Sequence, residues 1–303
     1  MAPGRNGPPP DESRLAPAPD RLCADDIKGS LILIGGACSA EGEALATFVR
    51  MSGAATGGKI VGLTTASSDP VNSAMAWHRD LMLAGATHVE FPIVDRRARA
   101  QEDGIADSVR DASGIFLGGG DQVHLVATIG GSKVGDAIRE AYYRGAIVCG
   151  TSAGAAALTE VILAGGEPDE EGTMVDMHIG PGLGLLGFRA MIDTHFAQRR
   201  RLHRLFTAIA ANPEYMGLGL DEDTALVVQG CLGAVVGRGG VTFVDGRDIR
   251  FDNAEEVAHG KQLTLSYLRV GIVGNGYVFN LQERELETLV RERREPEAVQ
   301  TIR

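Results

Sequence analysis

Short apolar runs recur along the first half of the chain, and each ends in small or polar residues. The runs lie at 31–37, 59–67, 88–95, 114–122 and 146–154. They are apolar along their length and do not alternate, which is typical of strands covered on both faces, and the intervals between them can hold crossover helices. The pattern predicts an α/β fold with a doubly wound, mainly parallel sheet.

The pattern changes at both ends of the chain. After about residue 225, short apolar runs are separated by Gly and Asp-Gly, which predicts antiparallel hairpins that extend or flank the sheet. Six of the 12 prolines lie in the first twenty residues, which predicts a disordered segment over residues 1–28. Because no repeat or linker follows, we expect a single α/β domain over residues 29–303.

Composition narrows the class of protein. The 303 residues are 44% hydrophobic, and 29 basic against 40 acidic side chains give a net charge of −11, which disfavours nucleic acid and anionic membranes as partners. The four cysteines are widely spaced, which predicts neither a zinc site nor a disulfide framework. With no signal-peptide pattern and no membrane-length apolar run, we expect a cytoplasmic protein with free thiols and no metal or cofactor.

A G-x-S-x-G sequence at 150–154 follows the apolar run AIVC. A strand-to-helix turn of this kind raises a serine nucleophile, here Ser152, above a sheet. A turn whose serine merely caps a helix has the same pattern, and spacing alone favours neither reading. The glycines at 118–120 carry no phosphate-binding motif, so we expect the backbone N–H of Gly120 to pair with that of Ala153 as an oxyanion hole.

A serine nucleophile needs a base and a group that orients the base. His195 is the candidate base, because it follows an apolar run and the polar pair at 193–194. In the alternative reading, the polar pair only caps a helix and His195 is a surface residue. Three carboxylates at 221–223 follow another predicted strand and either orient an imidazole or form a solvated turn. The chain order Ser, His, acid differs from that of α/β-hydrolases and argues against an esterase of that fold.

Four arginines follow His195 closely in this acidic chain: Arg199, Arg200, Arg201 and Arg204. Binding of a substrate carboxylate is one explanation for them. Placed on one helix, they would spread over more than half of its circumference, so that one or two would be surface charges or ion-pair partners.

Three sequence blocks together resemble one family. They are GGGDQ at 118–122, CGTSAGAAAL at 149–158 and a long run at 175–226 that contains DTHFAQRRRLHRLF. The chain resembles the cyanophycinase-type serine peptidases, relatives of aspartyl dipeptidase with a flavodoxin-like sheet of the class I glutamine-amidotransferase type. The resemblance extends more loosely over residues 30–290, and it implies a homodimer that needs no cofactor.

The resemblance also implies residue roles. Ser152 matches the family's nucleophile, His195 its general base and Glu222 the acid that orients the base, with Gly120 and Ala153 as the oxyanion hole. The implied substrate is cyanophycin, a polyaspartate with arginine on each β-carboxyl, from which the family releases β-Asp-Arg dipeptides. The implied substrate contacts are Gln122, Asp193, Thr194, Arg199, Arg201 and Arg204.

Two departures from the family pattern concern the substrate. Cys38-Ser39-Ala40 stands where the family often has Glu-Asp-Lys, and Thr194 stands where it usually has glutamine. An aspartyl or isoaspartyl dipeptidase therefore stays open as an alternative, as does a catalytically silent binding protein of the same fold. A nucleotide-binding flavodoxin-like protein is disfavoured because the phosphate motifs are missing.

Overall fold

The computed structural model describes residues 27–168, 174–175, 177–257 and 261–288. The helices are α1 (Glu43–Met51), α2 (Pro70–Leu83), α3 (Asp103–Arg110), α4 (Gln122–Ile129), α5 (Lys133–Arg144), α6 (Ala153–Ala156), α7 (Leu202–Ala211) and α8 (Ala254–Val257). The strands are β1 (Ser30–Ile34), β2 (Lys59–Leu63), β3 (His88–Glu90), β4 (Gly114–Leu117), β5 (Ile147–Thr151), β6 (Val161–Ala164), β7 (Glu167–Pro168), β8 (Met174–Val175), β9 (His178–Pro181), β10 (Ala190–Thr194), β11 (Met216–Leu220), β12 (Thr224–Gln229), β13 (Leu232–Gly237), β14 (Gly240–Asp245), β15 (Phe251–Asp252), β16 (Leu265–Ser266), β17 (Arg269–Gly274), β18 (Val278–Asn280) and β19 (Glu285–Leu286).

Within the described residues, the largest sheet has nine strands in the order β19-β18-β13-β12-β1-β5-β4-β2-β3. Strands β1, β5, β4, β2 and β3 are parallel neighbours. Strands β12, β13, β18 and β19 continue the sheet with antiparallel pairing. The predicted α/β fold class is confirmed. Of the strands predicted in hairpins after residue 225, β12, β13 and β18 extend this sheet, whereas β14 and β17 belong to a second sheet.

Helices cover both faces of the parallel strands. On β1, Leu31 and Leu33 pack into the core beneath α3, α4, α5 and α6, whereas Ile32 and Ile34 pack into the core beneath α1 and α2. Every residue of β1 is buried. The continuous apolar runs therefore follow from burial of the parallel strands on both faces.

A second sheet has four strands in the order β10-β11-β14-β17. Helix α7 packs on it through Leu205, Ala208 and Ile209, which meet Met191 and Val244. This sheet lies beside α6, because the buried residues of β10 and of α6 belong to one core cluster. The second sheet therefore brings the segment after β10 toward the carboxyl edge of the first.

Two predicted elements are shorter in the structure than in the sequence pattern. Strand β3 ends at Glu90, and Pro92 soon after it has no N–H for a sheet hydrogen bond. The alanine-rich run after the G-x-S-x-G sequence forms one helical turn, α6, and the chain then turns into β6, which pairs with β9. The β-branched residues Val161 and Ile162 favour this strand over a continued helix.

The predictions for the termini and the cysteines have different outcomes. Residues 1–26 of the predicted disordered segment lie outside the described residues, and the single domain over 29–303 stays a prediction. The expectation of free thiols is correct for Cys38 and Cys149 but wrong for Cys231, which is disulfide-bonded. Spacing along the chain does not show which sulfur atoms meet in space. In the described part of the chain, no helix has the length and apolar character needed to span a membrane.

Candidate active site

The end of β1 joins three distant segments of the chain. Three successive backbone carbonyls, those of residues 34–36, accept hydrogen bonds from the backbone amides of Ser152, His195 and Asp223 at 2.9, 2.7 and 2.9 Å. These amides belong to the turn after β5, the turn after β10 and the turn after β11. One strand end therefore sets the relative positions of three loops.

Side chains from these loops form a continuous hydrogen-bonded chain. Ser152 Oγ lies 2.9 Å from His195 Nε2, and His195 Nδ1 lies 2.7 Å from Glu222 Oε1. The imidazole is 13% exposed and the Glu222 side chain is 34% exposed, so the carboxylate is the more accessible of the two to solvent. When Nδ1 carries the proton and donates it to Glu222, the Nε2 lone pair faces the serine hydroxyl.

Backbone conformation holds the side chains of Ser152 and His195 in place. Ser152 has φ +53° and His195 has φ +51°, in the left-handed region that residues with a Cβ rarely adopt. The sharp turn at Ser152 directs its side chain above the strand ends, as the G-x-S-x-G sequence predicted. The reading of Ser152 as a helix cap is not supported, because its side chain makes no capping hydrogen bond to α6.

Gly36 leaves the space that the imidazole occupies. Its φ is +110°, and a Cβ added there would lie 2.3 Å from His195 Cε1. No side chain fits at this distance, so the Gly-Gly sequence after β1 is required for the approach of His195 to Ser152.

Two backbone amides beside Ser152 are available to a ligand. The N–H groups of Gly120 and Ala153 donate no hydrogen bond to any residue that the structure describes. Gly120 has φ +140°, and a Cβ on it would lie 2.0 Å from the carbonyl oxygen of Ala66. Only glycine allows the backbone to pass this close to Ala66, which fixes the loop over the cavity.

A cavity of about 740 Å³ opens beside Ser152. Ala153, Asp193 and Glu222 do not line it, and Glu222 lies behind His195. Eight of the predicted site residues do line it: Gly120, Gln122, Ser152, Thr194, His195, Arg199, Arg201 and Arg204.

The arginines are held by a buried carboxylate. Asp193 is completely buried and accepts hydrogen bonds from Arg204 Nε at 2.8 Å and Arg204 Nη2 at 2.5 Å, and from Arg201 Nη1 at 3.3 Å. Arg204 Nη1 also donates to the carbonyl of Gly165 at 2.8 Å. The predicted substrate contact Asp193 is therefore placed to orient arginines that line the cavity.

The four arginines do not share one helix. Residues 199–201 lie in consecutive turns before α7, which begins at Leu202 and carries only Arg204. Arg200 has φ +54°, which is incompatible with a continuous α-helix. Among the arginines that line the cavity, Arg199 is exposed, whereas Arg201 and Arg204 are buried.

The remaining lining residues form the rest of the cavity wall. Gln122 donates from Nε2 to the carbonyl of Leu163 at 2.6 Å and so ties the glycine loop to β6. Ala37 and Trp77 line the side near β1 and α2, and Asp121 lines the rim. Trp77 carries no sequence signal for a site, because a tryptophan in a helix is ordinarily a packing residue. No group of three or more His, Cys, Asp or Glu side chains in the described chain is placed to hold a metal ion.

Replacing Gly36 by alanine is expected to slow the reaction of Ser152 about a hundredfold, because the new methyl group would displace His195. The measurement is the rate of covalent labelling by a fluorophosphonate, with the thermal midpoint as a check on folding. Gly271→Ala is the matched control, because no atom lies within 4 Å of the position that its Cβ would take. Equal labelling rates for the two folded variants would contradict the expectation.

Arg204→Met is expected to lower the free energy of unfolding by about 3–5 kcal/mol, because it removes one partner of a buried carboxylate. Urea denaturation followed by circular dichroism measures the change. Arg199→Met is the control and should stay within about 0.5 kcal/mol of the wild type, since Arg199 is exposed. A similar small change for Arg204→Met would mean that Arg201 suffices to compensate the Asp193 charge.

Comparisons with known proteins identify the family of the chain. The sequence model of peptidase family S51 matches residues 31–233. A protein named cyanophycinase from Synechococcus elongatus is 34% identical over 266 residues, which cover 86% of this chain and 81% of that protein. Another cyanophycinase, from Trichormus variabilis, is 34% identical over 262 residues, covering 85% of this chain and 87% of that protein.

A solved structure has the same fold. The crystal structure of a peptidase from an acI-B1 Actinobacterium superposes with a TM-score of 0.63 at 20% identity, covering 84% of this chain and 98% of that one. The resemblance to the cyanophycinase-type peptidases is confirmed by the family match and by the sequence relatives. The chain therefore belongs to peptidase family S51 and is a serine peptidase.

Proposed function

We propose that the protein is an exopeptidase that releases β-Asp-Arg dipeptides from cyanophycin with a Ser152–His195–Glu222 triad. The observation that carries the proposal is the pair of hydrogen bonds of 2.9 and 2.7 Å that links the three side chains. The name that the sequence relatives share supports the substrate class.

The chemistry follows from the order of the hydrogen bonds. Ser152 Oγ forms a bond to the scissile carbonyl carbon while its proton passes to His195 Nε2. Glu222 accepts from Nδ1 and stabilises the imidazolium that results. The tetrahedral intermediate then collapses as the C–N bond breaks and His195 returns the proton to the leaving amine. Water, deprotonated by His195, releases the acyl group from Ser152 in the second half-reaction.

The oxyanion of both intermediates would accept hydrogen bonds from the N–H groups of Gly120 and Ala153. Neither N–H group donates a hydrogen bond to an acceptor in the described chain, which supports this role. Preorganised donors of this kind contribute about 2.7–4 kcal/mol each to transition-state stabilisation in serine peptidases.

The cationic wall of the cavity suits the aspartyl carboxylates of the substrate. Arg199, Arg201 and Arg204 line it, and the buried carboxylate of Asp193 offsets only part of their charge. Guanidinium groups bind carboxylates in bidentate geometry, which fixes orientation as well as affinity. Thr194 and Gln122 complete the contacts that we propose for the substrate. The homodimer and the cytoplasmic location stay predictions.

Ser152→Ala is expected to reduce kcat by about 10⁴-fold or more, and Glu222→Gln by a smaller factor, because an orienting group contributes less than the nucleophile in some serine enzymes. Steady-state hydrolysis of cyanophycin measures both effects, with circular dichroism as a check on the fold. Full turnover by homogeneous Ser152→Ala would exclude Ser152 as the nucleophile. Absence of fluorophosphonate labelling in the wild type would instead favour a catalytically silent protein.

The substrate is tested by incubating the wild-type protein separately with cyanophycin, polyaspartate and aspartyl dipeptides. Mass spectrometry of the products should show β-Asp-Arg from cyanophycin and no cleavage of polyaspartate, which lacks the arginyl groups. Cleavage of the dipeptides alone would keep the triad and make the protein an aspartyl or isoaspartyl dipeptidase.

A further inference from the structure

We infer that the indole of Trp77 forms the subsite that binds the cationic side chain of the substrate, opposite the arginines that bind its carboxylates. This inference rests on the proposed function and specifies how a substrate with both charges is oriented. The class of group bound is a planar guanidinium on a flexible aliphatic stem.

Trp77 lies in the cavity wall close to the reacting groups. It is half-buried on α2 and lines the same cavity as Ser152 and Gly120. A Cβ added at Gly118 would lie 3.6 Å from Trp77 Nε1, so the indole lies beside the start of the glycine loop. A group bound to the indole would therefore be held beside the reacting carbonyl.

The ring is fixed before any ligand arrives. Its centroid lies 4.8 Å from that of Phe116, with the planes at 53°, and Phe116 is completely buried in β4. Phe48 and Phe91 also contact the Phe116 ring, at 6.0 and 6.5 Å between centroids. A rigid aromatic surface loses little entropy when it binds a ligand.

The two walls of the cavity come from opposite faces of the large sheet. Trp77 packs with Phe116 on the face covered by α1 and α2. The buried residues of β10, which precedes the arginine segment, pack with α6 on the other face. Ser152, at the end of β5 between them, faces both walls.

Charge separates the two walls. Arginines line the wall on the α7 side, and a guanidinium would be repelled there, whereas Trp77 lies beside the uncharged glycine loop at Gly118. A cation over the face of an indole is attracted by the negative charge density of the ring, and tryptophan is the best aromatic side chain for this interaction. A substrate that carries a carboxylate and a guanidinium can therefore bind between the two walls in only one orientation.

Two carboxylates lie near Cys38, which packs against the same apolar cluster as Trp77. Burial, together with these carboxylates of Asp223 and Asp80, raises the pKa of the Cys38 thiol to about 12. The thiol therefore stays neutral and adds no charge to this side of the cavity. Asp80 forms an ion pair with Arg79 at 3.0 Å, on the outer surface of α2.

The test compares two substrates in wild-type and variant proteins: an oligomer of β-Asp-Arg and its analogue with citrulline, in which an uncharged urea replaces the guanidinium. Trp77→Leu should raise KM for the arginine oligomer about five- to tenfold with little change in kcat, and should leave KM for the citrulline oligomer nearly unchanged. Trp77→Phe keeps a ring against Phe116 and should give an intermediate KM. Phe251→Leu, an aromatic-to-leucine change at an exposed position that does not line the cavity, should leave KM unchanged.

Trp77 is the one tryptophan in the sequence, so fluorescence reports on this site alone. In Ser152→Ala, which cannot turn over the substrate, the arginine oligomer should change the emission at a concentration at least fivefold lower than the citrulline oligomer does. An equal KM increase for both oligomers in Trp77→Leu would overturn the inference, because the indole would then supply packing alone.

Two further outcomes separate this inference from the proposed function. In the first, the wild type cleaves the arginine oligomer, and its KM rises in Asp121→Asn but not in the Trp77 variants. The guanidinium would then bind at the cavity rim, which would contradict the Trp77 subsite and leave the proposed function standing. If the wild type cleaves neither oligomer but Ser152→Ala still binds the arginine oligomer selectively by fluorescence, the subsite stands and the hydrolytic assignment fails. Absence of both cleavage and binding would overturn both.

Discussion

The hydrogen bonds accepted by the carbonyls of residues 34–36 are the constraint on which the site depends. They hold the amides of Ser152, His195 and Asp223, which come from three loops of the chain. Each carbonyl has a fixed direction at the end of β1, so the loops cannot shift independently. Because the proposed nucleophile, base and acid are carried by these loops, their relative geometry is set by backbone and not by flexible side chains.

The same constraint explains why strained conformations persist around the site. The positive φ angles of Ser152 and His195 each cost free energy that local sequence does not recover. The backbone hydrogen bonds to β1 and the burial of the neighbouring strands stabilise the strained turns. Gly36, which lacks a Cβ, lets the imidazole lie against the backbone of the same strand end. Strain and close approach therefore occur together where the side chains must meet.

Charge in the cavity is organised by one buried residue. Asp193 is completely buried and accepts hydrogen bonds from two arginines. Both guanidinium groups therefore keep a defined orientation, while the single carboxylate compensates only one of their two positive charges. Arg199, which is exposed, adds a further positive charge at the cavity. The aromatic wall at Trp77 lies across from this cationic wall and carries no positive charge of its own. A cavity in an acidic protein thereby acquires two chemically distinct sides.

Features that depend on neighbours along the chain could be predicted from the amino-acid pattern alone. The continuous apolar runs predicted the parallel strands, since burial on both faces leaves no polar positions, and the turn at Ser152 followed from its flanking small residues. The roles proposed for His195 and Glu222 rest on family resemblance, because spacing left a surface histidine and a solvated turn as alternatives. The arginine segment was expected on one helix and lies mostly in turns.

The contacts between distant groups follow from tertiary packing and could not be predicted from local patterns. It placed Asp193 behind the arginines instead of in the cavity, gave Cys231 a disulfide and brought Trp77 into the cavity wall. The physical reason is that local patterns report which face of an element is buried but not what covers it. Contacts between residues that are remote in sequence depend on how the two sheets and their helices pack, and that packing is a property of the whole chain.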